Sequence, residues 1–323
     1  MPDRVVIDEF AHRPWMRGIL GQRGSAWRIL RAGSSLSQES QFRKLMFEKP
    51  GSGHFHSRIS LDLMRGQESM TVDQKVGIVT GAGGGIGRAI CVKLAREGVR
   101  LVLADIEPKG IEALARELEQ AGSHAMPCCV NVGEEADVRS CLERTIAGYG
   151  RLDILVNNAG ISPKKSNGVK ASLTEISLAE WELVMKVNLT STFLMCRASI
   201  PHMVRQGGGC IVSISSSAAL DGGALAATHY SASKGAVSAL TRTLAKELAP
   251  QAIRVNAVAP GRVATPMAKL SSDERNQAAL ARIPLGRFAE PDEIADSVVY
   301  LLSKQASYIT GITLNVSGGY VIG

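Results

Sequence analysis

The sequence predicts an α/β fold: one doubly wound domain in which a seven-stranded parallel sheet is covered by helices on both faces. Three observations predict it. From Lys75 onward, short apolar, β-branched runs alternate with amphipathic stretches. The first run leads into a glycine-rich turn that opens a helix. Of 323 residues 45% are hydrophobic and only 4% aromatic, so the core is filled with Ala, Val, Ile and Leu. The mean hydropathy of +0.05 excludes global disorder. No apolar run reaches the length of a membrane span.

In chain order, the first strand is expected at residues 76–80 (Val-Gly-Ile-Val-Thr), apolar almost throughout and so buried on both faces. A helix at 89–97 follows, then a strand at 100–104, a helix at 111–120 and a strand at 126–132. The pattern repeats with a helix at 134–147 and a strand at 152–156. A long helix at 178–203 leads to a strand at 210–215, and one at 230–248 to a strand at 254–259. A helix at 291–301 and a last strand at 313–316 complete the sheet. No linker or internal repeat divides this part.

Residues 1–69 read differently. They hold scattered Arg, Ser and Gly with no sustained period, and they contribute +4 of the formal net charge of +7. They are expected to be a disordered extension, an arm on a neighbouring subunit, or sequence upstream of a true start at Met70 or Met64. A secretory leader is not visible, and Asp3, Asp8 and Glu9 argue against a transit peptide. His54 and His56 form an H-x-H pair without a third ligand, so no metal site is expected. The rest is nearly charge-balanced, and a nucleic-acid partner is not expected. Six cysteines without framework spacing fit buried free thiols in the cytoplasm.

Chemistry enters at Thr-Gly-Ala-Gly-Gly-Gly-Ile-Gly, residues 80–87. Gly81, Gly85 and Gly87 suit a tight turn that a pyrophosphate approaches closely, with helix N–H groups facing it. Asp105, at the end of the second strand, is placed to hold the adenosine ribose and repel a 2′-phosphate, which argues for NAD over NADP. Arg88 is positioned to offset part of that repulsion. The plainer role for Asp105 is a helix cap.

With Asn157-Asn158-Ala159-Gly160, Tyr-Ser-Ala-Ser-Lys at 230–234 and Pro260-Gly261 leading to Thr265, the stretch from Lys75 to the end resembles the short-chain dehydrogenase/reductase family. The match covers about three quarters of the chain. It implies a single Rossmann domain and a catalytic set of Asn188, Ser216, Tyr230 and Lys234. It implies cofactor contacts from Gly81, Gly85, Ile86, Gly87, Asp105, Asn131, Val132, Asn157, Ala159, Gly160, Tyr230, Lys234, Pro260, Gly261, Val263 and Thr265. Asn131 stands where the family usually has Asp, and Ser317 where Asp often opens the closing turn. The commoner spacing would select Ser217 in place of Ser216. Asn188 is expected to hold a water that links Lys234 to solvent.

Tyr230 and Lys234 lie four residues apart and share a helix face. A free phenol has a pKa of about 10, and the ammonium is expected to lower it so that Tyr230 serves as acid and base. His229 points about 100° away and is expected to pack or form an interface. Residues 267–288 match the family's substrate lid, and neither Arg282, Arg287 nor Arg262 alone selects an anionic substrate. The expected function is hydride transfer between NAD and a small secondary alcohol or ketone, without a metal. A 3-oxoacyl-thioester reductase using NADPH is one alternative, and a non-catalytic dinucleotide-binding regulator another. The family also implies a homotetramer built on the helices at 178–203 and 230–248 and the segment 310–323.

Overall fold

The computed structural model describes residues 28–30, 46–48, 75–222 and 226–322. The chain divides between Ser69 and Met70. In the first unit Arg28–Leu30 (β1) pairs antiparallel with Met46–Glu48 (β2). The expectations for the rest of residues 1–69, including His54 and His56, lie outside the described residues.

The second unit holds the seven parallel strands that the alternating runs predict. They are Val76–Thr80 (β3), Arg100–Asp105 (β4), Ala125–Cys129 (β5), Ile154–Asn157 (β6), Gly209–Ile214 (β7), Ile253–Pro260 (β8) and Thr313–Val316 (β9). Their order in the sheet is β5-β4-β3-β6-β7-β8-β9, and every pairing is parallel. Strands wind outward from β3 in one direction and then from β6 in the other. The crevice between β3 and β6, outside their carboxyl ends, is where such sheets bind ligands.

Period-two alternation assigns the faces. In β4, Leu101 and Leu103 join one core with Ile90 and Leu94 of the helix Gly85–Arg96 (α1) and Leu114 and Leu118 of Pro108–Gln120 (α2). Val102 and Ala104 join the opposite core with Val138 and Leu142 of Glu135–Tyr149 (α3). The inner strands are thereby covered on both faces, which is why their runs are continuously apolar. Pro127 lies in β5, an edge strand, where its missing N–H costs no ladder bond on the open side.

The long helix expected at 178–203 is interrupted. Leu178–Met185 (α4) passes through a π-turn, Lys186–Thr190, into Ser191–Arg205 (α5). Such a bulge re-aims one turn of side chains. Here it aims Asn188, fully buried, at the loop after β6. The remaining helices are Ala218–Asp221 (α6), Thr228–Leu248 (α7), Pro266–Lys269 (α8), Asp273–Leu280 (α9) and Pro291–Leu302 (α10). The expected lid therefore contains two short helices, α8 and α9. Among the described residues no helix is long and apolar enough to cross a membrane. Five of the six free cysteines are buried, and Cys129 is exposed, against the expectation that all are covered.

Candidate active site

The glycine loop is held from below. Gly81 adopts φ +65°, open to glycine at little cost. A Cβ on Gly87 would stand 2.0 Å from the Gly81 carbonyl oxygen, so α1 starts against the turn only because Gly87 has no side chain. Asn158 closes the turn: its Nδ2 donates to the carbonyls of Thr80 (2.9 Å) and Gly81 (3.0 Å). Thr80 Oγ1 in turn accepts from the N–H groups of Asn158 and Ala159. Asn158, not among the expected cofactor contacts, thus ties the two loops of the crevice together. The first turn of α1 has no side-chain cap at Gly84 and no acidic residue. Its N–H donors at Gly85, Ile86 and Gly87 therefore fit a dinucleotide's diphosphate.

Asp105 stands beside this loop. Its carboxylate accepts from the N–H of Gly83 (2.9 Å) and of Glu107 (3.1 Å). Glu107, not Asp105, caps α2. A carboxylate has lone pairs beyond these two, so its present bonds are compatible with a ribose diol. Arg88 is paired with Glu117 of α2, so the expected offset of the charge of Asp105 is not its contact here. Asn131 Oδ1 accepts from Gly133 N–H at 3.1 Å, closing a local turn. The side chains of Val132 and Asn157 are engaged within the protein. The Val132 side chain packs into the core. Asn157 Nδ2 donates to Ser213 Oγ (3.1 Å) and reaches Cys196 Sγ (3.5 Å).

The catalytic candidates converge where β7 ends and α7 begins. Ser216 is hydrogen-bonded to the Tyr230 hydroxyl and accepts from Ala218 N–H. The neighbouring Ser215 is used elsewhere, between Lys234 O and Ser238 Oγ. Lys234 is buried, and its Nζ donates to Ile214 O at 2.7 Å. Asn188 Oδ1 accepts from Ile161 N–H (2.8 Å), and its Nδ2 donates to Ile161 O and Ser233 Oγ (both 3.0 Å). A Cβ on Gly160 would stand 3.3 Å from both Asn188 Oδ1 and Lys234 Nζ, which brings these three residues to one point.

Burial raises the Tyr230 phenol above its usual value, while the Ser216 bond and the Arg262 charge pull it down. The Arg262 charge thus reaches the phenol from the cleft side. Burial brings Lys234 down to about 8. The protonated tyrosine is thus the resting form, a proton donor at neutral pH.

His229 positions this helix end. It is fully buried, and its Nδ1 accepts from Tyr230 N–H at 2.8 Å. Since Nδ1 accepts, the neutral ring carries its proton on Nε2, 2.8 Å from Glu180 of α4. It packs, as expected, and also anchors the first turn of α7.

Beyond Tyr230 the cleft is lined by Ser162, Lys164, Asp221, Arg262 and Tyr320 among others, with Ile86, Pro260, Gly261, Val263 and Thr265 on the side of the glycine loop. A Cβ on Gly261 would lie 2.8 Å from Ser317 Cα, so the turn after β8 packs directly on the one after β9. Val263 bridges to Ala289, and Thr265 stands just before α8 with its hydroxyl donating to Val263 O at 3.5 Å. Lys164 carried no motif signal, because it sits in an irregular loop. Among the described residues no group of three or more His, Cys, Asp or Glu is arranged to hold a metal.

A doubly wound sheet with this loop and this Ser–Tyr–Lys–Asn cluster defines a dinucleotide-dependent oxidoreductase. Comparison with known proteins agrees. Residues 81–321 match the family model described as enoyl-(acyl carrier protein) reductase. The 3-oxoacyl-(acyl-carrier-protein) reductase FabG of Thermotoga maritima is 38% identical, over 78% of this chain and 100% of its own. The cis-4-hydroxycyclohexanecarboxylate dehydrogenase of Sinomonas cyclohexanicum is 40% identical, over 76% of this chain and 96% of its own. A crystal structure of a 3-oxoacyl-(acyl-carrier protein) reductase with bound NAD from Brucella melitensis superposes with a TM-score of 0.72. It is 37% identical and covers 77% of this chain and 92% of its own. The chain belongs to the short-chain dehydrogenase/reductase family. It is an oxidoreductase acting on a CH–OH or carbonyl group with a nicotinamide cofactor.

Proposed function

We propose that the chain interconverts a small secondary alcohol and its ketone, using NAD in preference to NADP. One observation carries this reading: Tyr230, Ser216, Lys234 and Asn188 gather at the mouth of the crevice that the glycine loop opens. The bound nicotinamide supplies the hydride acceptor or donor. Ser216 donates a hydrogen bond to the reacting oxygen, and Tyr230 gives that oxygen its proton in reduction or takes it in oxidation. Oxidation needs the phenolate, and the positive oxidised ring favours it against the effect of burial. Lys234 would hold the nicotinamide ribose, and Lys234 and Asn188 would pass the proton toward solvent.

Asp105 supports NAD. A second phosphate near its carboxylate places like charges together, which at about 4 Å and an effective dielectric of 20 costs up to about 4 kcal/mol. The name of the Thermotoga relative favours a second reading, reduction of a 3-oxoacyl thioester. Residues 70–323 are the catalytic domain in this proposal. Six free thiols suit the cytoplasm. A tetramer is supported by the exposed Leu178, Leu183 and Phe193 on α4 and α5, and by Tyr308 and Ile322 near the C-terminus.

The test is a titration with NADH and NADPH, beside turnover of the variants. NADH should bind at least about tenfold tighter, and Asp105→Ala should narrow the gap. Tyr230→Phe should lose about 10²–10⁴ in turnover with NADH binding intact. Preferred NADPH would replace NAD in this proposal, and undiminished turnover by Tyr230→Phe would overturn the mechanism.

A further inference from the structure

Arg262 leaves the turn after β8, is half-buried, and lines the cleft together with Tyr230 and Ser216. Its guanidinium is held by the segment that follows it. Nη2 donates to Ala268 O in α8 (3.0 Å) and to Asn276 Oδ1 in α9, and the Phe288 ring centroid lies 5.9 Å away. Asn276 reaches further. Its Nδ2 donates to Ser271 O (3.4 Å), in the link between α8 and α9. Its oxygen thus meets a donor and its nitrogen an acceptor, which settles the orientation of the amide. The same link is seated on the loop after β6, because a Cβ on Gly168 would lie 2.8 Å from Ser272 N and 3.0 Å from Leu270 O. The cation at the cleft wall is thereby tied to both short helices of the lid. Met267, Ala268 and Ala279 of those helices line the same cleft.

The groups around Tyr230 come from every element packed there. They are Ser216 from the end of β7, Arg262 from the turn after β8, Lys164 from the loop after β6, Asp221 from α6, Tyr320 near the C-terminus and Lys234 one turn along α7. The Arg262 charge acts on the phenol, and the phenol acts on Arg262 in return. Burial brings both lysines down to about 8, so they lose their charge before an ordinary phenol ionises. A guanidinium keeps its charge throughout. Arg262 is therefore a cation that persists at the cleft wall while Tyr230 titrates. A nearby cation favours the phenolate, and its effect falls with distance, so whatever fixes the guanidinium sets the size of that effect.

We infer that Asn276 is a positioning residue of the reaction: from the lid it holds Arg262 at the cleft wall, so that the ease with which Tyr230 accepts an alcohol's proton depends on the lid being in place. The inference rests on the proposed function and adds to it a residue outside the Ser–Tyr–Lys–Asn cluster. In oxidation the hydroxyl proton passes to the Tyr230 phenolate oxygen as hydride leaves the carbon for the bound nicotinamide. A cation fixed by the enclosing segment supports that phenolate when the cleft is covered, which links enclosure of the substrate to readiness of the base.

The experiment follows Tyr230 itself, through the ultraviolet absorbance of tyrosinate in the full chain with saturating NAD. The difference between each protein and its Tyr230→Phe counterpart isolates this phenol from the other tyrosines. Asn276→Ala should raise the midpoint by about half a pH unit or more, and Arg262→Gln by about one or more. With Arg262→Gln already in place, Asn276→Ala should add less than about 0.2, because no cation is left to position. Asn276→Leu, a second way to remove the acceptor, should match Asn276→Ala. Gln277→Ala, at an exposed position of the same helix, should leave the midpoint within about 0.2 of the wild type. An unmoved midpoint in both Asn276 variants, additive shifts in the double variant, or an equal shift in Gln277→Ala would overturn the inference. So would a wild-type Tyr230 still protonated at about pH 11. Turnover separates this inference from the proposed function. Tyr230-dependent NADH formation from cyclohexanol by a chain whose midpoint ignores Asn276 would overturn the inference alone. An Asn276-dependent midpoint in a chain that forms no NADH with secondary alcohols and consumes none with ketones would overturn the function alone.

Discussion

Gly87→Ala isolates the contact on which the phosphate cradle depends. The added Cβ would stand 2.0 Å from Gly81 O, 2.6 Å from Asn158 Nδ2 and 2.8 Å from Gly81 C. Ordinary carbon–oxygen contact needs well over 3 Å, so the turn or the helix must move by about 1 Å or more. The obstructing atoms are backbone, which no rotamer change relieves. Overpacking of this kind costs about 1–3 kcal/mol. Moving Gly81 O also breaks its bond from Asn158, worth about 1 kcal/mol net. The expected loss is roughly 2–4 kcal/mol, or a fall in melting temperature of about 5–15 °C for a domain of this size. The same displacement carries the N–H groups of the first turn out of register with a diphosphate, so NADH affinity should fall at least about a hundredfold. Gly84→Ala serves as the stability control, because a Cβ there meets nothing within 4 Å and the backbone is extended at φ −161°. Calorimetric melting and a fluorescence titration with NADH give both readouts. A Gly87→Ala protein that melts with the wild type and binds NADH within about threefold would refute the close-approach argument.

Two further outcomes follow from buried groups. His229→Ala removes the link between Tyr230 N–H and Glu180, and should cost about 2–4 kcal/mol in urea denaturation. Its kcat should fall at least about tenfold with NADH affinity nearly unchanged; an unaltered kcat would show that His229 only fills space. Lys234 is held at about 8 in the fold against 10.5. Between those values the unfolded chain keeps a proton that the folded chain has lost, so this group makes stability rise with pH across that window. The stability of Lys234→Met relative to the wild type should therefore be greatest at pH 7 and shrink by roughly 3 kcal/mol by pH 10.5. A difference constant with pH would contradict the burial of the charge.

The sheet was legible because its inner strands are covered on both faces, which forces a continuous apolar run wherever such a strand passes. The runs at 76–80 and 313–316 coincide with β3 and β9. The π-turn at Lys186–Thr190 was not legible, since α4 and α5 carry ordinary helical sequence on either side. What inserts the extra residue is a tertiary demand, the bonds from Asn188 to Ile161 and Ser233.

The division within the site has the same cause. Local spacing by itself determined the glycine turn, the shared face of Tyr230 and Lys234, and Asp105 at a strand end, because each is a relation between residues close in sequence. Tertiary structure alone decided that the Arg262 charge reaches Tyr230 and that Asn158 locks the loop of Gly81. It also turned the side chain of Asn157 toward Ser213, 56 residues away. Lys164 and Arg262, nearly a hundred positions apart, share a cleft only because β6 and β8 flank β7 in the sheet. Burial and charge depend on distance through space, and the linear pattern carries that distance only within a turn or a strand.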